Sequence, residues 1–352
     1  MVQKRILSIL AVASLLPITA LASGVSFQLA KVIPLPTTDQ GGDAVSYDPG
    51  NHRIYVSMGK ADAGAVVINA DTDQIFKVIR QGISHPDGQA FDAHYVYWTS
   101  NPKVNGKSVG RIVVIAKQGW QVRHQFSTVV TSPDGIWTDP ARHRLYIAMD
   151  DNNRVDKYTL SAQPKFLGTI PLFPKVGDGP DLGVLVPSQQ VLYMPDDSWE
   201  EKINLRNDHI EAITNIARYF STSPNGHHVN TKGQIFDPQT NTLWVGTDRG
   251  QLFVFNAKSL KVLAHLPARA GIDQVAYDPT YHLVYAFESD AKGFNVYNAQ
   301  TLKPVTFVST GYGKTHTGAV DPLNHRIFVY AGEAHGVYVY QPVLGGTAKT
   351  SQ

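Results

Sequence analysis

Five aspartates fall at matching places along the chain. Asp43, Asp87, Asp134, Asp181 and Asp273, with Lys232 and His316 in the same series, are separated by 41 to 51 residues. Each lies five residues before the end of a short apolar segment, and those ends are Asp48, Asp92, Asp139, Val186, Asp237, Asp278 and Asp321. If the fold gathers the seven positions, five carboxylates, a lysine and a histidine surround one opening. Crowded carboxylates repel one another and hold their protons to higher pH unless a cation relieves them. The expected guest is a hard divalent cation, Ca²⁺ or Mg²⁺, with oxygen ligands at about 2.0–2.6 Å. A ring that wide lets two neighbouring carboxylates plus water reach one ion. A second reading stays open: His85-Pro-Asp-Gly88, Ser132-Pro-Asp-Gly135 and Gly179-Pro-Asp181 are also turn sequences, in which Asp bonds nearby backbone amides.

Other polar groups are expected on the same face. His85 precedes one ring aspartate, and the segments Asp150–Arg154 and Pro195–Lys202 read as acidic loops. The segment Ala331–Gly336 brings Glu333 and His335 towards His316. Two histidines and a carboxylate are a usable metal or acid–base set. Arg154, Arg206, Arg249, Lys292 and Lys314 dilute the negative charge. The longest interval, from 181 to 232, holds Trp199, Arg206 and the pair His227-His228; long insertions in repeat proteins tend to fall in loops of the functional face. Adjacent histidines alternate on a strand, so both can serve one ligand only from a loop. No Gly-x-Ser-x-Gly, His-Glu-x-x-His or phosphate-loop motif occurs. The absence of cysteine removes disulfides, thiolate metal sites and c-type haem.

The elements that must position these residues come from a repeat. Tyr47-Asp48-Pro49 precedes Arg53–Val56, Phe91-Asp92 precedes Tyr95–Trp98, and Asp139-Pro140 precedes Arg144–Ile147; Val186-Pro187, Asp237-Pro238, Asp278-Pro279 and Asp321-Pro322 continue the series. Pro presets the turn and Asp bonds its backbone. His52, His143, His282 and His325 recur four residues after the turn aspartate, a spacing that makes them turn residues. β-Branched and aromatic runs between short polar turns give four strands per unit, named a to d. The last unit lacks a fourth strand, and Phe27–Ile33 resembles strand d of the first unit. Pairing the two ends would remove an exposed edge. The expectation is an all-β, seven-bladed β-propeller over residues 23–343, its four-stranded last blade completed by an N-terminal strand, with a disordered tail at 344–352.

Lys4 and Arg5 followed by an apolar run to Leu21 and the Ala20-Leu21-Ala22 triplet read as a signal peptide over residues 1–22. The run is too short and interrupted for stable membrane insertion. The chain has 31 basic and 29 acidic side chains, and loss of Lys4 and Arg5 balances them. That balance argues against nucleic acid as partner, which wants a basic stripe. A periplasmic or secreted bacterial protein is expected, acting as a monomer.

The Asp-Pro turn followed by an Ile/Leu/Val–Tyr/Phe–Val/Ile strand, running over residues 26 to 342, resembles the YVTN-repeat β-propellers of exported bacterial and archaeal proteins. The resemblance implies the fold; a polar ring on that scaffold with no recognisable catalytic set points to binding of a small molecule or protein at the channel mouth. Related seven-bladed propellers include lactonases and streptogramin lyases, but none of their catalytic residues is matched here. The alternative is therefore a metal-dependent hydrolase or lyase using the channel carboxylates, and a third reading is a quinoprotein-like dehydrogenase.

Overall fold

A computed structural model describes residues 24–59, 63–173, 179–221 and 229–345. These form seven four-stranded antiparallel sheets. The innermost strands a are Val45–Asp48, Pro86–Phe91, Pro133–Asp139, Val184–Val186, Thr231–Asp237, Val275–Asp278 and Gly318–Asp321, for blades 1 to 7 in order. Blade 1 continues with b Arg53–Ser57, c Ala65–Asn69 and d Gln74–Ile79, and the other blades follow the same order. In blade 7, strand c is Gly336–Leu344 and strand d is Val25–Pro34, paired from Val25 with Leu344 to Pro34 with Gly336. The expected closure is thus present. Strand c reaches Leu344, so the proposed tail begins later and falls almost wholly outside the described residues, as do the signal peptide and His227-His228.

Strands b and c are buried along nearly their whole length, whereas strands d alternate exposed and half-buried residues. The reason is that a blade has neighbours on both faces and solvent only at its rim. The core is accordingly divided among the seven junctions. Ile54, Val56, Val66 and Ile68 of blade 1 meet Phe328, Tyr330 and Val339 of blade 7, and Tyr55 and Val67 on the other face meet Trp98, Val113 and Ile115 of blade 2. No blade buries its own faces, as expected for a repeat stack.

The turn aspartates explain why their spacing to the following aromatic is fixed. Asp48, Asp237, Asp278 and Asp321 each accept a bond from the backbone N–H two residues on, at 2.9 Å. The second carboxylate oxygen of Asp48 or Asp92 accepts the hydroxyl of a buried tyrosine in strand b: Tyr55 and Tyr97, both at 2.9 Å. His52, His143, His282 and His325 close these turns with φ between 52 and 58°, a left-handed conformation that histidine tolerates better than most residues. They are turn residues, as their recurrence implies.

Blade 4 departs from expectation. The acidic stretch Pro195–Lys202 forms no loop: Val191–Asp196 and Trp199–Asn204 are paired strands joined at Asp197-Ser198. Asp196, Glu200 and Glu201 are buried. Burial pushes Asp196 up to about 7, opposed by a bond from Asn153, and Glu201 up to about 8. Glu200 rises well above the carboxylate range for the same reason. The four acids in that stretch suggest solvation, but three of them lie in strands covered by neighbouring blades.

Deleting Val25–Pro34 would leave the nine-residue strand c of blade 7 as a bare edge. The truncated protein is expected to lose its single cooperative melting transition and to aggregate, as read by calorimetry and size-exclusion chromatography; an unchanged melt would refute closure by this strand.

Candidate functional site at the channel mouth

The d–a and b–c connections meet on one face, around the upper end of the central channel. There Asp43, Asp87, Asp134, Asp181, Lys232 and Asp273 line a single cavity of about 460 Å³. The register of strand a explains this convergence, because each of these residues stands at the same height above its a–b turn. Neighbouring blades hold the ring backbone. Ser57 of blade 1 donates to the Asp87 carbonyl, and Thr99 of blade 2 to that of Asp134, at 2.5 and 2.9 Å. Gly233 N–H donates to the Asp273 carbonyl at 2.8 Å, and Gln274 N–H to that of His316 at 3.0 Å. The Gly after several ring residues is required by close approach. A Cβ at Gly88, Gly135 or Gly233 would stand 2.6, 2.8 or 2.2 Å from the ring carbonyl of the next blade.

The carboxylates have unequal partners. Lys232 Nζ pairs with Asp181 at 2.6 Å, and that carboxylate, outweighing desolvation, holds the ammonium charged well above the usual range. Asn101 Nδ2 donates to Asp87 and, at 3.2 Å, to the Pro133 carbonyl. His316 Nε2 lies 3.6 Å from Asp273 and donates to the Gly42 carbonyl at 2.7 Å. The carboxylates of Asp43 and Asp134 meet no hydrogen-bond donor among the described residues. Some of their surface touches the channel, but protein surrounds them, and this desolvation pushes both well above the carboxylate range. Asp87, Asp273 and Asp181 raise Asp43 further, while Lys232 opposes; Asp181, Asp43, Asp87 and Asp150 raise Asp134. Burial likewise brings Asp87 up to about 7, despite its bond from Asn101. Asp273 is raised by burial against the pull of His316 and Lys232.

The other expected site residues fall elsewhere. Glu333 accepts the Gly313 N–H at 2.7 Å and lies 3.9 Å from Lys292 Nζ, while His335 Nδ1 faces the Asp39 carbonyl at 3.3 Å. With His316 turned to Gly42, the Glu333–His335–His316 set does not converge. Among the described residues no three His, Asp or Glu side chains gather at metal-binding spacing. His85 bonds Ser84 Oγ at 3.2 Å and Arg154 bonds Asp156 at 3.1 Å; neither lines the cavity. Arg206 is on the opposite face. It sits in the c–d turn of blade 4, with its Nε 2.9 Å from Gln190 of the a–b turn. The insertion between 181 and 232 does lie in a d–a connection, between Asn215 and Thr231. Asn101, Asp150, Asn230, Thr231 and Leu182 also line the cavity. Asp150 belongs to the acidic segment expected on this face; Asn101, Leu182, Asn230 and Thr231 were legible only by their place in or beside strands a and b.

Folded Asp87 keeps its proton up to about 7 whereas an ordinary Asp releases it near 3.8. Between those values the folded state binds more protons, so stability falls as pH rises. Urea unfolding of the wild type is expected to show this decline from about pH 4 to 7, and Asp87→Asn to flatten it by on the order of 1–2 kcal/mol. A slope unchanged by the substitution would contradict the burial of this carboxyl.

Comparison with known proteins returns the fold. No protein-family model matches the chain, and no curated protein matches it. The β-propeller domain of Cps50 (Swd1) from Myceliophteria thermophila superposes with a TM-score of 0.70 at 10% identity, over 90% of this chain and 99% of that one. A chain of the mitotic checkpoint complex does so with 0.70 at 11% identity, over 98% and 100%. At that identity the likeness carries architecture alone: the chain is a seven-bladed β-propeller.

Proposed function

We propose that this protein is an exported binding protein of the YVTN-repeat kind that captures a cationic group at its channel mouth. The observation that carries the reading is the pair Asp43 and Asp134, unpartnered and desolvated in a cavity they share with Asp87 and Asp273. Burial makes each of these carboxyls harder to ionise than an ordinary Asp, and an incoming cation would offset that cost. Lys232 does not fill that role, because Asp181 already neutralises it.

The geometry favours a protonated amine over a compact metal ion. A divalent ion needs several oxygens close together, and the acids are spread around the cavity wall without three converging. An ammonium group carries its donors outward and can bond two carboxylates on different blades. A Ca²⁺- or Mg²⁺-binding site would rest on two neighbouring aspartates completed by water, and a hydrolytic role on such an ion. Export is supported by the Lys4–Ala22 leader pattern. Mass spectrometry of the mature chain should find its first residue near 23, and an intact N-terminus would refute export by this leader.

Calorimetric titration with ethylammonium, CaCl₂ and MgCl₂ tests the site. Ethylammonium is expected to bind, more weakly as pH falls below about 7, since protons compete for the same carboxylates. The double substitution Asp87→Asn and Asp134→Asn should weaken binding about tenfold or more. Binding of Ca²⁺ or Mg²⁺ alone would favour the metal reading. Binding of none of the three by the folded protein would overturn the proposal and leave the ring aspartates as turn residues.

A further inference from the structure

Below the carboxylate ring the channel opens into a second cavity of about 320 Å³. Its wall differs in kind. No charged side chain lines it, and Phe91, Ile136, Trp137, Leu185 and Val275 make it more apolar than the ring cavity; the Trp137 indole is fixed by its N–H donating to the Gly183 carbonyl at 3.1 Å. Leu182 lines both cavities, so it stands where the charged chamber meets the apolar one. One polar group in the lower wall is unsatisfied: Ser46 Oγ has no hydrogen-bond partner. Gln234, a residue 5% exposed, has its side chain against the buried Glu200 carboxyl, to which it bonds. The equivalent glutamine in blade 2, Gln89, is satisfied by Ser57 and the Tyr55 carbonyl; in blade 4 the place of Ser57 is taken by Pro195, and Glu200 serves Gln234 instead. Buried polar groups are normally paired, and a hydroxyl left open beside an apolar chamber is suited to a guest that brings a polar atom with it.

We propose that the ligand is a small amphipathic amine, its ammonium held by Asp43, Asp87 and Asp134 and its apolar body passing Leu182 to lie against Trp137 and Ile136. The proposal rests on the cation-binding reading of the upper cavity. It adds the ligand's shape and the requirement for an uncharged body. A strand rises about 3.3 Å per residue. Ser46, three residues below Asp43, therefore stands roughly 10 Å beneath the ring. An arylalkylamine has that reach, and a hydroxyl at its far end would meet Ser46. A polyamine would instead place a second charge in the apolar chamber, at a large desolvation cost.

Calorimetry with ethylammonium, 2-phenylethylammonium and 2-phenylethanol separates this inference from the reading beneath it. The aromatic amine is expected to bind about tenfold or more tighter than ethylammonium, from burial of its ring, and the alcohol not measurably. Ser46→Leu, which fills the lower chamber and leaves the ring aspartates in place, should erase that gain and keep ethylammonium binding; Leu185→Gln is a second variant that makes the wall polar. Equal affinity for the two amines would overturn the amphipathic ligand while the cation site stands. Binding of the alcohol as tight as that of the amine would overturn it too. If neither amine binds at about 10 mM, both readings fail.

Discussion

The structure depends on a sheet with two apolar faces having to be covered twice. Each blade is apolar on the side facing its predecessor and on the side facing its successor, so only a closed ring leaves neither face bare. Covering both faces draws the innermost strands close together. At that range the glycines at 88, 135 and 233 admit the carbonyls of the next blade, and the residue before each glycine is left with its side chain at the channel. The crowding of carboxylates at the mouth is thus a by-product of how the core is buried. Its electrostatic consequence is that Asp43, Asp87, Asp134 and Asp273 are harder to ionise here than on a surface.

Much of this arrangement is legible in the chain because one register recurs. The a–b turn fixes the height of strand a, so counting back from the last residue of that strand places Asp43, Asp87, Asp134, Asp181, Lys232 and Asp273 together whatever the length of the preceding loop. Tyr55 and Tyr97 show why turn and strand travel as a unit, since their hydroxyls bond the turn aspartates.

Where no register is available, charge misleads. Pro195–Lys202 reads as a loop because of its acids, yet burial overrides that preference and leaves Asp196, Glu200 and Glu201 between blades. Arg206 lies in the same long interval as true channel residues but in a turn of the other face. Glu333, His335 and His316 are near one another in the repeat, and each finds a backbone partner of its own instead. Leu182 and Ser46 carry no signal at all in one sequence: what matters about them is the emptiness beside them, and emptiness is a property of packing.

The pairing of Val25–Pro34 with Gly336–Leu344 also sets an order of events. The two partners are about 300 residues apart, so the earliest strand of the ring to be synthesised is among the last to find its place. The free-energy cost of joining such distant segments grows only logarithmically with the intervening length, but the search is long and such contacts are slow to form. Six blades can assemble from neighbours in sequence while the seventh waits. Until then both flanks of the growing arc expose apolar sheet, and the molecule is at its most adhesive just before it becomes complete.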